Sequence, residues 1–267
     1  MRKKVGGPVL IAATLGMFGI LTGAGSAVAD VIVIGASGAS VKPGQVLTSD
    51  ATLSLPGGAR VRVMLASGRT QELKGPGQIK IGDLGKGEAV NESLWNDVKR
   101  LVATQTSARE SELGAVRSVA PTKSSRSFSA SRGGEALGEL GAAGTAFSWR
   151  RVSVDREGDV CVEKSAPIEL VRNSPGRPLA VTIVNIQAKK RGMAEFSAGS
   201  ATTSWPASVG SDVGLYAVVL PDGGRHEVRL RPIKPLPAAD DTLRVLHGQR
   251  CLAQVEAWLR GQMTASR

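Results

Sequence analysis

Aromatic side chains are scarce in this sequence, Phe, Trp and Tyr together making up 3% of its 267 residues. Surfaces that stack bases need aromatics gathered among cations, and here Trp95, Phe147, Trp205 and Trp258 are scattered along the chain. Cysteine and histidine are scarcer still, with two of each. Beyond residue 30 no apolar run is long enough to cross a bilayer as a helix. Long blocks of one charge are missing too, which argues against a nucleic-acid partner.

The first thing present is a leader. Arg2, Lys3 and Lys4 precede an uncharged, glycine-containing apolar stretch that ends in Ala27-Val28-Ala29, the pattern of a cleaved secretory signal over residues 1–29 with the mature chain starting at Asp30. The expected product is periplasmic and has no membrane anchor after cleavage. Removing the three leader cations from a net charge of +11 leaves +8, spread along the chain, which supports a mild attraction to anionic envelope polymers.

Cys161 and Cys251 form an even pair in a chain read as exported, and the reading is a disulfide. Closing a loop of roughly 90 residues stabilises the fold by about 4–5 kcal/mol through loop-closure entropy. His226 and His247 fall in the same stretch and with the cysteines would make a zinc set, but the spacing has no Cys-x-x-Cys or His-x3-His element. No metal and no cofactor is expected.

Residues 31–83 alternate short β-prone runs with Gly and Pro turns. The runs are VIVI at 31–34, a short one around Val41, ATLSL at 51–55, ARVRVML at 59–65, RTQEL at 69–73 and QIKI at 78–81. In ARVRVML, Val61, Val63 and Leu65 alternate with Arg60, Arg62 and Met64, as in a strand with one buried face. VIVIGASGAS resembles the start of a phosphate-binding loop, but Gly35 and Gly38 lead to Val41, Pro43 and Gly44 rather than into a helix, so nucleotide binding is excluded. Ala39 also occupies the last glycine position of a nucleophile elbow around Ser37. The stretch reads as a flexible lead-in to the first sheet.

Residues 91–104 predict a helix capped by Asn91, with Glu92 in its first turn and Leu94, Trp95, Val98, Leu101 and Val102 along one stripe that folds onto the β unit. Residues 105–145 turn to Ser, Ala, Gly, Arg and Glu and read as a flexible linker, with a short strand at 115–119 available to the first unit. From Phe147, seven β runs at short spacing predict an immunoglobulin-like sandwich, its clearest element a hairpin turning at Asp222-Gly223. The end of the chain reads as two helical turns and a helix split near Gly248, with Leu252, Val255, Trp258 and Leu259 on one face and Cys251 beside it. The expected fold is mainly β: a leader (1–29), a small antiparallel β domain with one helix (30–104), a linker (105–145) and a β-sandwich with a C-terminal helix (146–267).

Chemistry is harder to find. Asp155, Glu157 and Asp159 alternate as in a calcium loop, but Gly158 and Ala166 occupy the wrong positions, and a charged turn is the better account. Asp240 and Asp241 read as caps of the helix that follows. No serine stands in a strand-to-helix elbow. No catalytic residue is therefore assigned.

Residues 39–81 resemble the periplasmic β domain of FecR-type regulators, through Gly44-Gln45-Val46-Leu47, the strand pair at 51–65 and the turn Ala66-Ser67-Gly68. Such regulators carry a cytoplasmic segment and a membrane helix where this chain has a leader, so sigma-factor control is not carried over. The resemblance implies an envelope sensor or binding module. The functional expectation is a non-catalytic envelope protein, two β domains on a tether, binding an envelope protein or polymer. The alternative is a secreted hydrolase or metal-dependent enzyme built from dispersed acids with His226 or His247.

Overall fold

A computed structural model describes residues 30–115 and 146–264. The expected leader, most of the linker and residues 116–119 of the expected short strand lie outside the described residues.

The N-terminal unit contains β1 (Val31–Ser37), β2 (Val46–Leu47), β3 (Thr52–Leu55), β4 (Arg60–Leu65), β5 (Thr70–Lys74) and β6 (Gly77–Lys80), then a 3-10 turn and α1 (Glu92–Ala115). An antiparallel sheet runs in the order β2-β1-β4-β5, and β3 pairs with β6 alone. Three local expectations change. The short strand lies at Val46–Leu47 rather than around Val41, and Gly35–Ser37, read as flexible, continue β1 opposite Arg62, Val61 and Arg60 past a bulge. Met64, expected outward, is fully buried.

Burial of β1 explains Met64. Val31 and Val33 join Val61, Val63, Leu65 and the paired strands β3 and β6 in one core, while Ile32, Ile34 and Met64 point the other way into a second core. VIVI is thus the continuous apolar run of a strand covered on both faces.

That second core is built by helices. Leu94, Val98 and Val102 of α1 meet Leu243 and Leu246 of α2 (Thr242–Gly248) and Val255, Trp258, Leu259 and Met263 of α3 (Leu252–Thr264) against Ile32 and Ile34. Asn91 caps α1 as expected, accepting from Leu94 N–H at 3.2 Å. The helix runs past its expected end at residue 104 to Ala115, so residues 105–115, read as flexible linker, are helical, as is the first residue of the expected strand at 115–119. Leu252, expected on the apolar face of α3, is 53% exposed and Met263 takes a place there instead. Gly68 shows how closely α1 sits on the β4–β5 turn: its φ is +85°, and a Cβ there would fall 2.1 Å from Leu94 Cδ2.

The C-terminal unit is the expected sandwich. β7 (Arg151–Ser153), β8 (Gly158–Glu163), β9 (Glu169–Val171), β10 (Leu179–Asn185), β11 (Lys190–Phe196), β12 (Thr202–Ser204), β13 (Gly214–Val219) and β14 (Arg225–Ile233) form sheets in the orders β11-β10-β13-β14-β8 and β12-β9-β7. Both sheets contribute to one core, from Val152 and Leu170 to Ile183, Tyr216 and Leu230. β12 went unpredicted because Thr202, Thr203 and Ser204 carry no apolar alternation. The Tyr216 hydroxyl donates to Asp212 carbonyl at 3.0 Å, which pins the loop leading into β13. In the β13–β14 hairpin Gly223, at φ +87°, donates its N–H to Leu220 carbonyl, and Gly224 N–H donates to Asp222 Oδ1. Arg172 is buried, yet its guanidinium donates to the carbonyls of Ser200, Arg177, Pro175 and Ser197, which ties two loops together under Phe196.

The two units meet at β8, an edge strand. Cys161 is bonded to Cys251, with Cα atoms 5.9 Å apart. On the same residue, Gln254 accepts from Cys161 N–H at 2.7 Å and donates to Cys161 carbonyl at 2.9 Å, so a side-chain amide from α3 stands in for a strand neighbour. The chain end, expected to be tied to the sandwich by the disulfide, is tied to it and also packs on β1 of the other unit.

Trp258→Ala is expected to cost about 3–5 kcal/mol, and tryptophan fluorescence and far-ultraviolet circular dichroism should report one shared unfolding transition, because the lost side chain belongs to a core common to both units. Replacing Cys161 and Cys251 together by serine is expected to remove about 4 kcal/mol in urea denaturation, from freeing a loop of this length.

Candidate functional site

Two charged clusters lie where the units join. The first is a cleft of about 820 Å³ between α1, α3, the β7–β8 turn and the start of β14. It gathers residues far apart in sequence: Asp97, Asp155, Glu157, His226, His247 and Glu256 all face it. Both histidines, considered above as zinc ligands and as residues of a dispersed enzymatic site, are here; His226 stands on the hairpin strand β14 and His247 in the last turn of α2. His247 Nε2 lies 3.1 Å from Asp97 Oδ2, and Asp97 also pairs with Arg100 at 3.2 Å. Glu256 pairs with Arg156 at 3.3 Å and Arg260 at 2.5 Å, and Asp155 accepts from Asn173 N–H at 2.7 Å. These acids serve the fold. The side chains of Glu157 and His226 form no hydrogen bond or ion pair among the described residues, and that of Leu252 is 53% exposed.

The acids singled out as a calcium-like alternation part company here. Asp155 and Glu157 face the cleft, whereas Asp159 turns to Arg231 at 2.9 Å and Arg229 at 3.8 Å. Among the described residues no group of three or more His, Cys, Asp or Glu is placed to hold a metal ion. With both cysteines in a disulfide, the zinc set of two Cys and two His does not assemble.

The second cluster centres on Arg69 in the β4–β5 turn. Its guanidinium reaches Glu88 at 2.7 Å, Asp240 at 2.6 Å and Asp241 at 3.9 Å, while Thr70 N–H donates to Asp240 carbonyl at 2.9 Å. Asp240 and Asp241 were expected to cap the next helix. Asp241 does stand at the cap position of α2, but in helical conformation and without a capping bond. Its carboxylate pairs with Arg244 of the same helix at 2.7 Å, and Asp240 pairs with Arg69 of the other unit, so charged partners take both carboxylates in place of the backbone amides. The Arg69 guanidinium hydrogen-bonded to Asp240 holds that carboxyl below its ordinary value.

Sequence reasoning missed Asp97, Arg69 and Gln254. Asp97 and Arg69 look like solvated charges in their own segments, and only the packing of α2 and α3 supplies their partners. No protein-family model, curated protein or solved structure matches this chain.

Because the folded-state pKa of Asp240 is lowered, the stability linked to it is present above the ordinary aspartate range and is lost as pH falls through the lowered value. Thermal melts between about pH 5 and pH 2 should therefore show a stability loss that is smaller in Arg69→Met than in the native protein.

Proposed function

We propose that this protein is a non-catalytic binding or scaffolding component of the bacterial cell envelope, exported to the periplasm, with the cleft beside α3 as its recognition site. One observation carries the reading: the cleft is framed by elements from both units around a shared core, and it presents Glu157, His226 and Leu252, side chains with no task in holding the fold. A prearranged cleft with acceptors, an imidazole and an apolar lip suits an extended segment of another envelope protein.

Three further features support the compartment and the class. The Cys161–Cys251 disulfide fits an oxidising environment. Residues 39–81, with their resemblance to FecR-type periplasmic domains, fit an envelope sensor or binding module. The positive mature charge fits association near anionic envelope polymers.

The hydrolytic reading has one observation in its favour, the carboxylate-oriented His247 beside the cleft. The described lining supplies no hydroxyl or thiol for such a base to activate, and Asp97 is shared with Arg100, so the pair reads as a clasp between α1 and α2.

In-cell crosslinking of the tagged protein, followed by capture and mass spectrometry, should recover one envelope protein. Leu252→Asp and Glu157→Ala should each lower that recovery about tenfold, and Lys42→Ala, away from the cleft, should leave it unchanged. Recovery of bait alone, or equal recovery from all variants, rejects the cleft as the recognition site.

A further inference from the structure

The outer face of the five-stranded sheet is apolar where a solvated face should be polar. Antiparallel strands with one wet face alternate apolar-in and polar-out. β14 follows that rule, sending Val228 and Leu230 into the core and Arg225, Glu227 and Arg229 outward. Its neighbours do not. β10 buries Val181 and Ile183 and turns Thr182 and Val184, both half-buried, to the outer face; β13 buries Tyr216 and Val218 and turns half-buried Leu215 and Val219 to the outer face, with Ala217 between them only 2% exposed. These outward residues belong to none of the three buried clusters. On the edge strand β11, Met193 extends the patch and is 64% exposed.

β1 supplies the comparison within the molecule. It too reads as a continuous apolar run, and the chain covers both its faces. For β10 and β13 the described chain covers one. The cluster built on α3 reaches the outer face at the β8 edge, through Cys161, and at Ile233 at the end of β14.

We infer that this face packs against the same face of a second copy, making a two-fold dimer. The registers place Arg191, Val184, Ala217 and Glu227 side by side in one row across β11, β10, β13 and β14. The row is apolar at its centre and carries opposite charges at its ends. Two sheets packed face to face about a two-fold axis along the strands bring β11 of one over β14 of the other. Arg191 then meets the partner's Glu227, twice, with the Val184–Ala217 centre between. Arg191 has no carboxylate partner among the described residues, and Glu227 is held only by the exposed Arg225 on its own strand. A row with one sign at both ends would repel itself in this arrangement; this row complements itself.

Sedimentation of the intact exported protein between about 1 and 100 µM tests this. The expected result is a concentration-dependent dimer. Val184→Arg should give a monomer with an unchanged melting temperature at low concentration. Arg191→Glu and Glu227→Arg should each weaken dimerisation about tenfold, and the double exchange should restore it. A native protein that stays monomeric throughout, leaving the face to the 116–145 segment or to a different partner, overturns the inference. So does a dimer indifferent to all of these changes. Crosslinking through the cleft is a separate readout, so failure here leaves the proposed recognition site standing.

Discussion

Burial of both faces of β1 is the constraint on which the rest of this structure depends. Four apolar residues in a row cannot alternate between core and water, so the strand needs two covers. The paired strands β3 and β6 supply one from nearby in sequence. The other comes from α1 and, from the far end of the chain, α2 and α3. Because those last helices also close the edge of β8, the core that completes the N-terminal sheet is the joint to the sandwich.

The joint is specified by polar groups and strengthened by apolar ones. At β8, the Gln254 amide meets both backbone groups of Cys161 while the disulfide fixes the same residue to the start of α3. Arg69 pulls the turn before β5 toward the acids ahead of α2, and His247 reaches Asp97 on α1. The ion pairs are partly exposed and individually weak. Their value lies in register, since each matches a charge on one segment to an opposite charge brought from another, while Trp258, Leu259 and Met263 provide the burial.

Surface left over after this assembly is where interaction can occur. The cleft beside α3 owes its shape to the joint, since its walls come from α1, the sandwich turn and α3. The outer face of β10 and β13 owes its character to a pattern written along two strands. One is a concave polar site and the other a flat apolar one, and the two suit different partners for that reason.

The sequence by itself determined most of the β runs, though not β2 or the end of β1, together with the Asn91 cap, the Asp222-Gly223 hairpin, the break near Gly248 and the Cys161–Cys251 pairing. Each rests on local periodicity, turn chemistry or simple parity of cysteines. It did not reveal β12, whose Thr-Thr-Ser has no apolar signal, nor that Met64 is buried, since a single strand does not say whether its second face will be covered. Leu252 was read inward because helical spacing fixes neighbours on a face but not the direction in which the face ends. The roles of Asp97, Arg69, Asp240 and Gln254 were decided only by tertiary structure. Charges and amides take their function from whatever partner arrives, and here the partners come from the opposite end of the chain.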